Sequence, residues 1–217
     1  MTKILTSKWT KVVVFSASLL PLALLAWRIF QNDLTANPSQ FLEHRTGDWT
    51  LRFVVVTLSI TPLRRILGLP QLVRFRRMLG LFAFFYGCMH FIAWSWFDKF
   101  FDWPGMWADV HKRPYITVGF TGFVLMIPLA ITSTAGWIRR LGGRRWQMLH
   151  RAIYVTAMAG VGHYYWLVKS DVHKPIEYGL IVLALLAWRV GSWLIARRKQ
   201  VASAAARRPE PTTAESA

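Results

Sequence analysis

The 217-residue sequence contains a single cysteine and only ten acidic residues, against 27 lysines and arginines. The lone Cys88 excludes an internal disulfide framework and every site built from several cysteines, including iron–sulfur clusters and structural zinc. None of the acidic residues falls in the interior of a long apolar stretch, since Glu177 lies at the very start of the last one. Because proton-coupled transporters usually need a carboxylate in the membrane interior, this absence counts against a transport function.

Apolar residues make up 54% of the chain and the mean hydropathy is +0.31, which is too apolar for a typical soluble domain. A helix needs about 20 mostly apolar residues to cross a bilayer. Six stretches qualify, namely 12–30, 49–67, 77–97, 115–135, 146–168 and 176–196. No stretch alternates with a period of two, so a membrane barrel is disfavoured. The sequence therefore predicts an all-α membrane protein with six transmembrane helices.

The basic residues lie between these apolar stretches and indicate the sides of the membrane. They crowd the segments before the first stretch, between the second and third, between the fourth and fifth, and after the sixth. The positive-inside rule places these segments and both termini in the cytoplasm. The net charge of +17 is thus a topology signal and not a sign of nucleic-acid binding. We expect a cytoplasmic N-terminal segment 1–11, a membrane domain 12–197 and a disordered cytoplasmic tail 198–217.

Three histidines, His90, His150 and His163, lie within the predicted spans, where an ionisable side chain is a candidate functional residue. Imidazoles mounted on helices can ligate haem iron axially, and a porphyrin can bury its apolar rim between helices. Counted from the cytoplasmic arginines that precede each helix, His90 lies about 20 Å along its helix, His163 about 27 Å and His150 about 8 Å. The smaller mismatch favours His90 and His163 as an axial pair toward the outer face.

His150 fits a ladder of two stacked haems poorly. It precedes His163 by 13 residues, about 20 Å, but that spacing leaves the two rings about 140° apart around an ideal helix. The residue 14 positions before His90 is Arg76, which is not an ordinary axial ligand because its guanidinium stays protonated. Arg76 can instead clamp a haem propionate or a flavin phosphate. The residues support one paired haem and leave a second, irregular site near His150 open.

Five segments share a recognisable family pattern: RRILGL, MLGLFAFFYGCMHF, KRPYITVGFTGFVLMIPLAITS, WQMLHRAIYV and GVGHYYWLVK. They resemble the MsrQ (YedZ) family, the haem-binding membrane subunits of bacterial periplasmic methionine sulfoxide reductase systems, over about residues 8–197. The resemblance implies a ferric-reductase-like transmembrane bundle in the bacterial inner membrane that binds one or two haems b. The family's histidines fall on His90, His150 and His163. FMN is also associated with the family, and the arginine implicated in its binding falls on Arg76 or Arg77.

The resemblance further implies an electron-transfer subunit rather than a complete enzyme. Electrons would come from the quinone pool, with a cytosolic flavin reductase as a further donor. They would pass outward to MsrP, the molybdopterin-containing periplasmic subunit that holds the catalytic site for methionine sulfoxide. In the related NADPH oxidases, helices 3 and 5 each carry two haem histidines. This sequence departs from that pattern at Arg76, and without a nucleotide-binding domain direct NADPH oxidation is not expected.

Two alternatives stay open at this point. The first is a stand-alone ferric-chelate reductase that acts on small extracellular acceptors without a protein partner. The second is a non-redox membrane anchor for a periplasmic partner, whose buried histidines only make hydrogen bonds between helices.

Overall fold

The computed structural model describes residues 5–168 and 170–206, and within these ranges the chain is helical with no strand. A 3₁₀ turn, Pro70–Leu72, leads into the third helix, and a π-helical turn, Trp94–Asp98, continues it. The helices are α1 (Lys8–Phe30), α2 (Pro38–Ile66), α3 (Val73–Ala93), α4 (Trp103–Lys112), α5 (Pro114–Ile131), α6 (Ala135–Leu141), α7 (Gly143–Leu149), α8 (Ala152–Leu167) and α9 (His173–Ala206).

In the part of the chain that the structure describes, four helical segments are long and apolar enough to cross a membrane. They are Lys8–Phe30, Pro70–Asp98, Pro114–Ile131 and His173–Ser203. The predicted span 49–67 matches the second part of α2, which ends at Ile66 and whose first part carries several charged side chains, and α8 has only 16 residues. The sequence-based prediction of a helical, multi-pass membrane protein is confirmed at this level. The count of six spans and the cytoplasmic placement of both termini stay predictions.

The predicted helix 146–168 differs most from the structure. It is interrupted at His150 and Arg151, so that α7 ends before them and α8 begins after them. The last helix also differs, because α9 continues to Ala206, past the predicted start of a disordered tail at 198. The remainder of that predicted tail, 207–217, lies outside the described residues.

Helices α2, α3, α5 and α8 form the centre of the bundle, with the most extensive contacts between α2 and α3 and between α5 and α8. Between α2 and α3 the core is aromatic: the rings of Phe53 and Tyr86 stack with centroids 5.3 Å apart, and Phe82 stacks on Phe53 at 5.7 Å. Helix α1 lies at the edge, with Trp9 78% and Phe30 80% exposed. Such apolar exposure suits a lipid-facing helix, because lipid rather than water surrounds it.

One hydroxyl attaches α1 to this core. The Tyr86 hydroxyl donates a hydrogen bond to the Ser18 carbonyl at 2.9 Å and accepts one from the Leu22 amide at 3.2 Å. These two groups lie beside Pro21, which has no amide hydrogen and interrupts the hydrogen bonds of α1. The Tyr86 hydroxyl therefore bridges an amide and a carbonyl of α1 that are four residues apart, next to the proline.

Charged side chains join the C-terminal end of α3, helix α4 and the start of α5. The Lys99 ammonium lies 2.5 Å from an Asp109 oxygen and 3.4 Å from Asp98, and Arg113 contacts Asp109 at 3.1 Å. The hydrogen bond that the Lys99 ammonium donates to Asp109 raises the pKa of Lys99. The Thr117 hydroxyl also donates to the Val110 carbonyl, which ties α4 to α5. These contacts hold α3, α4 and α5 together at one end of the central bundle.

Candidate functional site

The structure brings His90 of α3 and His163 of α8 together near the C-terminal ends of their helices. Their ring centroids lie 6.1 Å apart and the ring planes meet at 72°. A histidine nitrogen binds a metal at about 2 Å, and the ring centroid lies about 1.1 Å behind it, so two rings on one ion have centroids about 6 Å apart. The spacing of the pair therefore matches axial ligation of a single metal from opposite sides.

Each imidazole is oriented by a backbone carbonyl of a facing helix. His90 Nδ1 lies 2.9 Å from the Glu43 carbonyl of α2, and His163 Nδ1 lies 2.7 Å from the Tyr115 carbonyl of α5. Since a carbonyl oxygen can only accept, Nδ1 carries the proton in both rings. The lone pair is then on Nε2, the nitrogen that binds a metal when Nδ1 is held by such a partner.

The pair lies in a cavity of about 680 Å³ between α2, α3, α5 and α8, within the size range of cofactor pockets. Its interior is lined by small and apolar side chains, and its mouth by charged ones. The apolar lining includes Leu51, Val54, Phe91, Ile116, Phe123 and Met126. The mouth includes Glu43, Arg45, Asp48, Asp98, Arg113 and Lys174.

The donor set indicates which metal group fits. Within residues 5–168 and 170–206, no three histidine, cysteine or acidic side chains meet to hold a metal ion. Two neutral imidazoles cannot complete the coordination of a bare ion, whereas a porphyrin supplies four further nitrogens and an apolar rim. The paired histidines and the apolar walls therefore fit a b-type haem better than a free metal ion.

His150, predicted as a third ligand, lies away from this cavity. Its ring stacks on Trp146 with centroids 3.9 Å apart, and its Nε2 lies 3.1 Å from the Thr132 hydroxyl. The break between α7 and α8 at His150 and Arg151 also removes His150 from the regular α-helical register of His163. The structure does not bring a second histidine to face it among the described residues.

Arg76 and Arg77, predicted to bind a flavin or haem propionate, lie at the opposite end of α3 from His90. Arg76 is half-buried and close enough to His150 to interact with it electrostatically, whereas Arg77 is exposed. Neither arginine lines the cavity around His90 and His163. The structure therefore places Arg76 with His150 rather than with the histidine pair.

Sequence reasoning missed the groups that orient the histidine pair. The carbonyls of Glu43 and Tyr115 are invisible to a residue-type argument, because any residue has a carbonyl. The sequence feature that could have pointed to these carbonyls is a glycine four residues after each of them, Gly47 and Gly119. The Glu43 carboxyl is also distinctive, since burial and, secondarily, Asp98 raise its pKa to about 7, against the lowering effect of Lys99.

Comparison with known proteins agrees with this geometry. Residues 46–161, just over half of the chain, match the family described as "Ferric reductase like transmembrane component". The chain is 56% identical over 182 residues to the protein-methionine-sulfoxide reductase heme-binding subunit MsrQ of Herminiimonas arsenicoxydans, covering 83% of this chain and 84% of that protein. The chain belongs to the MsrQ family.

Other MsrQ proteins show similar likeness. Identity is 51% over 178 residues with the heme-binding subunit of Caulobacter vibrioides, covering 82% of this chain and 85% of that protein. It is 48% over 209 residues with that of Xanthomonas campestris pv. campestris, covering 94% of both chains. No solved structure matches the chain significantly. The family resemblance read from the sequence motifs is therefore confirmed.

Proposed function

We propose that this chain is the haem-binding electron-transfer subunit of a bacterial periplasmic methionine sulfoxide reductase system, located in the inner membrane. The observation that carries the proposal is the pair of imidazoles, His90 and His163, whose centroids lie 6.1 Å apart in an apolar cavity. Membership of the MsrQ family supports it, because the similar relatives are named as heme-binding subunits.

The residues of the chain have separate parts in this function. His90 and His163 ligate the iron through Nε2, while the carbonyls of Glu43 and Tyr115 hold the rings in place. The single cysteine, Cys88, offers no CxxCH attachment motif, so the haem is bound without covalent bonds to the chain. The apolar walls exclude water and, with the ligands, set the reduction potential. Haem iron supplies one-electron transfer when bound.

The position of the pair indicates the direction of electron flow. Both histidines lie near the outer ends of their helices, close to the mouth that Asp98, Arg113 and Lys174 line. We assign quinol oxidation, or reduction by a cytosolic flavin reductase, to the cytoplasmic half, and delivery to the periplasmic subunit MsrP at the outer mouth. The sulfoxide itself is then reduced on MsrP, and this chain contributes electrons and not a catalytic residue.

FMN and a second haem form the less constrained part of the proposal. FMN is assigned to the arginines at the inner end of α3, Arg76 and Arg77, on the family resemblance and their positive charge. His150 is the candidate ligand for a second haem, next to Arg76. Extraction of flavin and a pyridine haemochrome assay on pure protein give the ratio of each cofactor to polypeptide. A ratio of one haem and no flavin would remove both assignments.

The axial assignment is tested by optical and EPR spectra of variants. His90→Ala and His163→Ala are each expected to abolish the low-spin haem signal, because one imidazole cannot fill both axial positions. His111→Ala, an exposed outer residue that packs on Trp107, is the control and should keep the wild-type spectrum. An unchanged low-spin signal in His163→Ala would refute the assignment.

Electron transfer is tested in vesicles that hold the purified chain, a reduced quinol and, outside, MsrP. We expect the quinol to reduce the haem and MsrP with methionine sulfoxide to reoxidise it. Reoxidation by chelated ferric iron at the same rate without MsrP would favour a stand-alone ferric reductase instead. Protein that purifies fully helical but colourless, from cells supplied with haem, would favour a membrane anchor.

A further inference from the structure

The two histidines are held by the same backbone device, which occurs once on α2 and once on α5. On α2, the Glu43 carbonyl contacts His90 Nδ1 at 2.9 Å and a glycine, Gly47, follows four residues later. On α5, the Tyr115 carbonyl contacts His163 Nδ1 at 2.7 Å and Gly119 follows four residues later. A helical carbonyl points toward the residue four positions later. The size of that residue's side chain therefore decides whether an imidazole from another helix can reach the carbonyl.

A side chain at either glycine would meet the imidazole. A Cβ atom at Gly119 would lie 2.5 Å from His163 Nδ1 and 2.8 Å from its Cγ, too close without movement of the ring. A Cβ at Gly47 would lie 3.2 Å from both Cε1 and Nδ1 of His90, so that ring would have to shift by a few tenths of an ångström. Each imidazole thus packs directly against the backbone of a glycine.

We propose that Gly47 and Gly119 are positioning residues for the two iron ligands, which let each imidazole reach its carbonyl and set the angle between the ring planes. This inference rests on the proposed haem. Neither glycine has a positive φ, so backbone strain does not account for either position, and the close approach of the rings does.

The ring angle has a spectroscopic consequence that simple packing does not have. The planes of His90 and His163 meet at 72°, close to perpendicular. Perpendicular axial imidazoles perturb the dxz and dyz orbitals of the iron almost equally. Parallel imidazoles perturb one of these orbitals more than the other and so split their energies. A near-degenerate pair gives low-spin ferric iron a very large maximum g value in EPR, and rotation toward parallel rings lowers it.

The test compares four glycine variants of the full-length protein, purified in detergent with haem. Gly119→Ala is expected to lose most of its haem or to become high-spin, because His163 cannot keep both its hydrogen bond and its position. Gly47→Ala is expected to keep haem but to shift the maximum g value. Two controls would make ordinary contacts and do not line the cavity: at Gly162→Ala, next to His163, the new Cβ would meet Val118 at 3.8 Å, and at Gly80→Ala it would meet Thr57 at 3.6 Å.

The controls are expected to keep the haem content and g values of the wild type. The inference is overturned if Gly119→Ala and Gly47→Ala both keep them as well. Should Gly119→Ala fail to fold, as judged by helicity and gel filtration, Gly47→Ala decides, and an unchanged maximum g value in that variant overturns the inference. Wild-type protein that contains no haem would instead refute the proposed function, and this inference with it.

Discussion

Pro62 leaves the carbonyl of Leu58 in α2 without its usual helical donor, because proline has no amide hydrogen. The side chain of Arg189 in α9 supplies a donor, with its Nη2 2.5 Å from that oxygen. The same guanidinium donates to the Leu185 carbonyl at 2.9 Å and lies over the Tyr154 ring at 5.4 Å. Arg189 therefore joins α9 to both α2 and α8.

The perturbation is Arg189→Met, measured in the wild type and in a Pro62→Ala background. Loss of a hydrogen bond from a charged donor costs about 1.5–3 kcal/mol in soluble proteins, and an unpaired buried carbonyl adds to the cost. Double-mutant cycles on hydrogen bonds between helices of a membrane protein give about 0.6 kcal/mol per bond on average and about 1.7 kcal/mol at most. We expect a coupling of about 1–2 kcal/mol between the two sites. The reason is that alanine in place of Pro62 restores the helical donor and makes Arg189 dispensable for Leu58.

The assay is unfolding in detergent micelles, followed by far-UV circular dichroism for the four proteins of the cycle. The contacts of Arg189 with Leu185 and Tyr154 are lost in both backgrounds and cancel. Arg197→Met is the control, since its exposed guanidinium lies over Trp193 on the same helix and its removal should change stability by less than about 0.5 kcal/mol. Equal costs of Arg189→Met in the two backgrounds, within about 0.5 kcal/mol, would refute the reasoning.

Three further predictions concern single side chains. His150→Ala should keep the low-spin signal of the outer haem, and loss of that signal from the spectrum would show that His150 is an axial ligand there. Glu43 has its pKa raised from 4.5 to about 7, so the folded state binds the extra proton and stability should fall as pH rises across that interval. Melting temperatures at pH 5 and pH 8 should therefore differ less in Glu43→Gln than in the wild type, and an equal difference would exclude Glu43 as the cause. Tyr86→Phe should lower stability by about 1 kcal/mol, because the Ser18 carbonyl and Leu22 amide lose their partner, and a neutral effect in the same melts would contradict that role.

The histidine pair was predictable because depth along a helix follows from residue count alone. Counted at about 1.5 Å per residue from the arginines before each helix, the depths of His90 and His163 differ by about 7 Å, and those of His90 and His150 by about 12 Å. The same arithmetic could not place His150, because it assumed one continuous helix over 146–168. The helix is interrupted at His150 and Arg151, so the regular rise and rotation per residue do not hold between His150 and His163.

The charge pattern and the apolar stretches by themselves determined that this is a helical membrane protein with candidate ligands buried between its helices. These properties depend on composition and on distance along the chain, which the sequence states directly. Tertiary structure decided which atoms orient the ligands: the carbonyls of Glu43 and Tyr115, and the space left by Gly47 and Gly119. Those contacts join different helices, so they depend on rotation and spacing between helices, quantities that no local pattern encodes.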